Sequence, residues 1–508
     1  MATKLSEADA LPASLQALKS NPISVLGAVV LIWLVKAVFD HVSHPLYRFP
    51  GPFWASFSNV LHSWTFMGGR QPYDILALHE KYGPVVRTSP NELSFNTAQS
   101  WRDIYGFRPN HKTFVKSPFY DGGSFADAAH SIVSERDPTE HGIMRKYLSH
   151  AFSDRSLKEQ EGLVAEMVDL FIHQIGTFGS ASDGLDMVMW FNLLTLDIIG
   201  SLAFGQPFGG LESAQYHPWI QLVLGAMSQG ALADCMSRFP LIANIFQWLM
   251  PGTIAKLVAD TRAHEAHTTA LVDKRLKNIS DRPDFLTRMI ESRETNNISD
   301  IQIAAHASDF VTAGSETTAT VLSTITYYLL RNPEVYRKLQ EEIRSTFRSY
   351  DEINAQSTLP LKYLNAVIYE GMRIYSPLPF ALPRVVPEGG DTVDGYFIPG
   401  GVTVSTAPLA ASNCKSNFDR PFEFVPERWM EKNSRDILDA SQPFSLGPRG
   451  CLGRNLAWME LNTTIAKLHF KYDLELLSKD LDWHGESRMH TLWHKPKMFV
   501  RVKSRNEE

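Results

Sequence analysis

A single large globular body behind one N-terminal membrane helix is the architecture this sequence predicts, and three observations predict it. The one long apolar run lies at residues 23–39. Three prolines follow within residues 44–52, and no second linker, internal repeat or low-complexity tract interrupts the rest. A helical pattern of about 32 residues then runs through the centre of the chain, long enough at the helical rise to cross a whole domain. Composition agrees: of 508 residues 44% are hydrophobic and 20% charged, which excludes disorder as the dominant state. Lys+Arg 49 against Asp+Glu 55 leaves a net charge of −6, so no basic excess points to nucleic acid as a partner.

The first elements are an N-terminal segment, residues 1–22, and the stretch ISVLGAVVLIWLVKAVF at 23–39. Apart from Ser24 and Lys36 it is apolar, and about 17 residues lies near the lower limit for spanning a bilayer core. A cleaved secretory signal would carry a shorter apolar core and a small-residue cleavage site. Here Lys36 is followed by Val38, Phe39, Asp40 and His41, so a retained transmembrane anchor is expected, with Lys36 snorkelling to the headgroups. The flanking charges Lys4, Lys19, Lys36 and Arg48 do not fix its orientation. Residues 40–52, stiffened by Pro45, Pro50 and Pro52, read as a hinge, and residues 53–508 as one body.

Ser299 with Gln302 three positions later has the form of a capping box, which starts a helix. The pattern runs to Arg331, before Asn332-Pro333, where Asn can cap and Pro can open the next helix. Its middle, Ala313-Gly314-Ser315-Glu316-Thr317-Thr318, is poor in helix propensity, so something other than local stability selects it. At about 100° per residue, His306, Phe310, Ala313 and Thr317 share one stripe. A notch at Ala313-Gly314 would admit a flat ligand or a diatomic close to the backbone, the Thr317 hydroxyl can bond back to the carbonyl four residues earlier, and Glu316 could relay protons. A buried crossing of small residues against a neighbouring helix explains the same six residues equally well.

Pro360 opens a further helical pattern whose last turn carries Glu370 and Arg373 on one side. An exposed pair at that spacing is worth roughly a few tenths of a kcal/mol and means little alone. Leu382-Pro383-Arg384 and Pro426-Glu427-Arg428-Trp429 add two more arginines. Of the three cysteines, Cys235, Cys414 and Cys451, none has the partners that a disulfide framework or a multi-thiolate zinc site needs. Cys451, however, sits in Phe444-Ser445-Leu446-Gly447-Pro448-Arg449-Gly450-Cys451-Leu452-Gly453, where glycines bracket the thiol and Arg449 lies two residues away. Such a loop can aim backbone N–H groups at a thiolate. One cysteine cannot close a zinc or iron–sulfur site, but it can be the sole protein ligand of a haem iron. A buried cysteine in a glycine-rich turn is the plain alternative.

With these residues in this order, the sequence resembles the cytochrome P450 family. The pattern F-x-x-G-x-R-x-C-x-G is matched at every specified position of Phe444–Gly453, and A-G-x-E-T-T at Ala313–Thr318, E-x-x-R at Glu370–Arg373 and P-E-R-W at Pro426–Trp429 keep the family's order. Within the family the chain is similar to the fungal microsomal type, near the isotrichodermin C-15 hydroxylase group, through His79–Arg87 and the continuation Arg454-Asn455-Leu456-Ala457. The resemblance implies a mainly α fold with small β-sheets and a haem b cofactor. Cys451 would be the axial thiolate with Phe444 packed against it, and Gly314 and Gly453 would border the cofactor. Arg449, Arg384 and Arg145 would meet the propionates. His141 stands where the family's W-x-x-x-R has its tryptophan, and is expected beside them. Glu370, Arg373 and Arg428 would form a buried structural triad, and Thr317 with Glu316 would serve dioxygen.

The implied reaction is oxidation of a lipophilic secondary metabolite, a terpenoid or polyketide, by hydroxylation, epoxidation or a related step. Electrons would come through an NADPH–cytochrome P450 reductase, with cytochrome b5 as an optional second donor, since no G-x-G-x-x-G follows a strand in this chain. The implied location is the endoplasmic reticulum membrane, spanned once, with the body facing the cytosol. Position relative to the motifs nominates Phe119, Tyr120, Phe125, His306, Phe310, Phe380, Ala381, Leu382 and Met489 as pocket walls, a lining that suits a lipophilic substrate. Two competing readings are a reductase-independent isomerase, dehydratase or peroxygenase of the same fold, against which the intact Glu316-Thr317 speaks, and a non-catalytic haem- or lipid-binding membrane protein.

Overall fold

The apolar stretch folds as helix α1, Pro22–Ser43, in the computed structural model, which describes residues 22–216, 219, 230–277, 284–431 and 434–505. Residues 1–21 lie outside the described residues. The helix runs past the apolar stretch to a turn where Lys36 pairs with Asp40 at 2.5 Å. Among its described side chains the large apolar ones stand largely open: Leu26, Leu31, Ile32 and Phe39 are 61–68% exposed. Beyond Ser43 the hinge docks on the body. Leu46 and Phe49 are buried beside Val85, Leu93 and Trp101, and Arg48 donates to the Phe397 carbonyl at 2.7 Å.

The body is mainly helical. In chain order its larger helices are α2 (Gln71–Tyr82), α3 (Pro138–Ala151), α4 (Asp154–Phe178), α5 (Met187–Phe204), α6 (Pro251–Lys277), α7 (Asp300–Arg331), α8 (Pro333–Thr346), α9 (Lys362–Ile374) and α10 (Arg454–Lys471). Local chemistry sets their ends. The Asp137 carboxylate accepts from the N–H groups of Thr139 and Glu140, with Pro138 already holding the helical φ, so α3 starts there. The Ser299 hydroxyl accepts from the Gln302 N–H at 3.2 Å and opens the 32-residue α7. Asn332 caps backwards rather than forwards: its amide donates to the Tyr328 carbonyl at 2.7 Å and closes α7, while Pro333 opens α8. Helix α9 begins two residues after Pro360, where the Glu342 carboxylate of α8 accepts from the N–H groups of Tyr363 and Leu364 at 2.9 and 2.8 Å.

Helix α7 threads the core and packs on α5, α6, α9 and α10. Helix α5 is long and apolar enough to cross a membrane, yet it is buried inside the body, which makes it a core helix. Five short strands form the main sheet: β1 (Val85–Ser89), β2 (Glu92–Phe95), β3 (Val115–Lys116), β4 (Arg384–Val385) and β5 (Thr403–Thr406), in the order β1-β2-β5-β4-β3. All neighbours are antiparallel except β2 and β5, which run parallel. The register sets Lys116 directly opposite Arg384. A three-stranded sheet joins Leu185–Asp186, Phe499–Ser504 and Tyr472–Leu476, and the pair Arg488–His490 and Leu492–His494 makes a hairpin.

Candidate active site

Most of the small polar residues of α7 are buried, and five of them satisfy their hydroxyls along their own helix, while the buried Thr324 hydroxyl has no partner among the described residues. Ser315, Thr317, Thr320, Ser323 and Thr326 donate to the carbonyls four residues earlier, Thr317 to Ala313 at 2.7 Å. Of the Ala-Gly pair, Ala313 is the open position, and Thr317, Thr312 and Asp309 are half-buried around it. Gly314 is a correction to the expected cofactor notch: a Cβ there would sit 2.9 Å from Ile199 Cδ1, so this glycine lets α5 cross closely.

His306 and Phe310 are corrections too. His306 is fully covered, its Nε2 bonded to the Tyr147 hydroxyl at 2.6 Å and its Nδ1 accepting from the Ile132 N–H at 3.2 Å. Burial pushes its imidazole down to about 3, so it is a satisfied neutral core histidine. Phe310 packs its ring on Phe152 and Phe285. The open stripe of α7 is therefore Asp309, Ala313 and Thr317, which keeps two members of the expected one and puts Asp309 in place of His306 and Phe310. Burial pushes the Asp309 carboxyl up to about 6, against the Ser131 hydroxyl, the Val133 N–H and Lys116.

The cysteine loop is pinned from below. Gly447 has φ +68°, and a Cβ there would lie 2.1 Å from the Tyr105 carbonyl oxygen, so only glycine fits. The Cys451 N–H donates to the Phe444 carbonyl at 2.8 Å, and Arg145 donates to the Gly450 carbonyl at 2.5 Å. The thiol lies deep in the body but is uncovered, as Ala313 is, so it borders an interior hollow. Burial pushes it above its ordinary value, while the Gly453 N–H and the Arg145 and Arg454 guanidiniums favour the thiolate. Phe444 is half-buried beneath the Arg454 guanidinium, which stands 5.7 Å from its ring centre.

Beside the loop lies a cluster of cations. Lys116 and Arg384, directly opposite on β3 and β4, are both buried, an arrangement that like charges disfavour. Arg449 donates to the carbonyls of Glu135 and Arg136 at 2.8 Å each, and Lys116 to those of Ile132 and Val133 at 2.9 and 2.5 Å. Arg384 donates to the Pro383 carbonyl at 3.1 Å and the Tyr120 hydroxyl at 3.4 Å. Burial, then Arg449 and Arg384, pushes Lys116 down to about 6. His141 goes to about 3 through burial and then Arg449, Lys116, Arg145 and Arg384, so all five basic groups gather in one place. Among the described residues no carboxylate pairs with Lys116, Arg145, Arg384 or Arg449.

Glu370, Arg373 and Arg428 meet in full burial. Arg373 grips the Glu370 carboxylate with two bonds of 2.8 Å, Arg428 adds one of 3.2 Å and the Trp429 indole N–H one of 2.9 Å. Glu316, in contrast, is held by a residue that motif reading did not single out, its carboxylate paired with the Lys495 ammonium. Of the expected pocket walls, Phe119 and Phe380 meet at 4.6 Å between ring centres, and Phe66 stacks on Phe380 at 5.6 Å. Ala381 is half-buried, and so is Leu382, which packs on the core cluster of Leu46, Phe49 and Tyr105, whereas Tyr120 belongs to the cation cluster, its ring 5.2 Å from Lys116 Nζ. Met489 is a correction: it is fully covered, its N–H bonded to the Gly69 carbonyl. Phe125 is likewise covered in its own tight turn, its N–H bonded to the Ala129 carbonyl.

The cytochrome P450 family model matches residues 50–502. The chain belongs to the cytochrome P450 family. Among curated relatives, this P450 is 58% identical over 444 residues to a cytochrome P450 monooxygenase, ORF11, of Penicillium roqueforti, a match covering 87% of this chain and 92% of the relative. It is 41% identical over 490 residues to the monooxygenase BipB of Cochliobolus sativus, covering 94% and 96%. It is 38% identical over 479 residues to the monooxygenase BOT4 of Botryotinia fuckeliana, covering 94% and 89%. This P450 is thus an oxidoreductase that incorporates oxygen, in a family that carries a haem-thiolate iron.

The residues present fit that group. An uncovered thiol would supply a thiolate donor to its iron, and a buried cation cluster without carboxylate partners suits the two propionates of haem b. Asp309, close enough to Lys116 to favour its charge, joins the open stripe of α7 to that cluster. Lys116 and Lys495 were out of reach of motif reading, since neither lies in a recognised pattern.

Helix α10, which leaves the cysteine loop, carries a titratable group in this P450's core. Burial alone pushes Glu460 up to about 8, and its Oε2 has no hydrogen-bond partner among the described residues. The folded state therefore holds a proton that the unfolded chain releases near 4.5, so stability is complete below that value and is lost as pH rises towards 8. Glu460→Gln is expected to flatten this slope and to raise stability at pH 8 by at most about 5 kcal/mol, read from denaturant melts at two pH values.

Proposed function

We propose that this P450 inserts one oxygen atom from O₂ into a lipophilic secondary metabolite, a terpenoid or polyketide, using electrons from an NADPH–cytochrome P450 reductase. The observation that carries the reading is the uncovered thiol of Cys451 beside a cluster of unpaired cations. Cys451 would supply the thiolate ligand of the haem iron, and Arg384, Arg449, Arg145, Lys116 and His141 would hold the propionates. When bound, the haem supplies reductive activation of dioxygen, favoured by thiolate electron donation. The chain's own part is positioning and proton control. The Thr317 hydroxyl, kept in place by the Ala313 carbonyl, holds an ordered water, and Glu316 next to it passes protons to that water. Phe119 and Phe380, backed by the covered Phe66 ring, form an aromatic wall that excludes bulk water and orients an apolar substrate.

Membrane attachment through α1, with the body on the cytosolic face of the endoplasmic reticulum, completes the reading. The exposed apolar side chains of α1 support it, as do Trp64, Leu241 and Trp248, each 80% exposed. The test is product formation from a panel of terpenoids and polyketides in membranes supplied with reductase. Product that needs NADPH supports the monooxygenase reading, and product without NADPH favours the isomerase or peroxygenase one. Thr317→Ala is expected to keep its haem but to cut productive oxidation by about tenfold or more, with the lost electrons appearing as peroxide. Unchanged coupling of NADPH use to product counts against the role of Thr317.

A further inference from the structure

Glu316 is not a free acid. Its carboxylate pairs with the Lys495 ammonium, and the two side chains are 9% and 1% exposed. Lys495 also donates to the Thr320 hydroxyl at 3.0 Å, and that hydroxyl donates to the Glu316 carbonyl at 2.7 Å, so one ammonium grips both ends of a helical turn. The backbone that carries Lys495 is fixed on both flanks. Trp493 is buried with its indole N–H bonded to the Ser376 carbonyl at 2.8 Å, and the Met498 N–H bonds to the Asp186 carboxylate at 3.1 Å. The other titratable groups that feel this pair are Tyr216 and Tyr375, raised first by burial and further by Glu316, and His494, lowered first by burial, then by His490 and Lys495.

A buried ion pair adds little net stability over an apolar pair of the same size, but losing one partner strands a charge. We propose that Lys495 is a positioning residue for Glu316: it keeps the carboxylate ionised and fixes its direction one residue from Thr317. This rests on the reading of Glu316 as a proton carrier. Without Lys495 the stranded carboxylate takes up a proton from solvent and turns from an acceptor into a neutral acid.

The experiment compares Lys495→Met, Lys495→Arg, Glu316→Gln and the double variant Glu316→Gln/Lys495→Met in the full-chain holoenzyme, each checked for haem ligation by its reduced carbon-monoxide spectrum. Lys495→Met is expected to add the infrared band of one protonated carboxyl group at neutral pH. Lys495→Arg should not add it, and the double variant should lose it again. With reductase and NADPH, the share of electrons released as peroxide is expected to gain an inflection across neutral pH in Lys495→Met that Lys495→Arg lacks. A folded Lys495→Met protein with neither band nor inflection overturns the proposal. If Lys495→Met does not fold, the double variant, which strands no charge, is expected to fold; its failure as well would make Lys495 purely structural and overturn the proposal. An unchanged peroxide share in Glu316→Gln defeats the reading of Glu316 itself, and the infrared band then still decides whether Lys495 sets its charge.

Discussion

Cys451→Ala protein is expected to keep its helical content and to lose entirely the red-shifted carbon-monoxide band of the reduced holoenzyme. The fold does not depend on the sulfur, because the loop is held by the Cys451 N–H bond to Phe444 and by the close approach of Gly447 to Tyr105, both of which alanine preserves. The chemistry does depend on it. Cys235 and Cys414 are buried, and no group of three or more metal-ligating side chains gathers among the described residues. The surroundings of Cys451 are also balanced for ligation: burial keeps the free thiol protonated, and a metal ion that binds it expels the proton, leaving a thiolate that the Gly453 N–H, Arg145 and Arg454 stabilise. Circular dichroism and the reduced carbon-monoxide spectrum of Cys451→Ala, with Cys414→Ala as the control, check this. A band that survives in Cys451→Ala would hand the iron to another ligand and dissolve the site as drawn.

What could be read from the sequence was chemistry confined to a few residues. The hydroxyl of Ser299 and the proline after Asn332 act within about one turn of the chain, so their spacing alone places the ends of α7. The positive φ of Gly447 is a local demand of the cysteine loop, even though the Tyr105 carbonyl that crowds it comes from far away. A helical stripe is less complete information. Period 3.6 tells which residues share a face, not which face lies open, and the apolar choice of His306 and Phe310 failed because α7 is packed nearly all round. Its open stripe is polar and small, with Asp309, Ala313 and Thr317. Gly314 failed for a related reason, since a missing Cβ serves a helix crossing as well as a ligand. Lys116 opposite Arg384 and Lys495 on Glu316 were invisible because strand register and a C-terminal segment crossing back to α7 bring together residues far apart in the chain.

Glu370→Ala is expected to cost this P450 its haem before it costs the fold. The Glu370 carboxylate accepts five bonds, from Arg373 twice, Arg428, the Trp429 indole and the Val425 N–H, the last at 3.0 Å. Its removal leaves two buried guanidiniums facing each other. Arg373 retains the carbonyls of Ser412, Pro421 and Glu423, and Arg428 retains Asp436, so the cost is that of breaking a buried pair, about 3–5 kcal/mol, rather than of exposing bare charge. The damage has a path to the thiol. Trp429 stacks on Tyr369 at 5.1 Å, Tyr369 meets Trp458 of α10 at 4.8 Å, and Trp458 leans on Phe444 at 6.4 Å, at the head of the cysteine loop. Loosening Trp429 therefore loosens the seat of Cys451 while α5 and α7, packed on each other elsewhere, stay in place. Thermal melts of the holoenzyme followed at the haem absorbance and by far-ultraviolet circular dichroism are expected to separate in Glu370→Ala, the haem signal falling first, and to coincide in the parent. Glu370→Gln, which keeps the shape and loses the charge, is expected to fall between them, and coincident melts in Glu370→Ala at the parent temperature would show that the lattice does not support the cysteine loop.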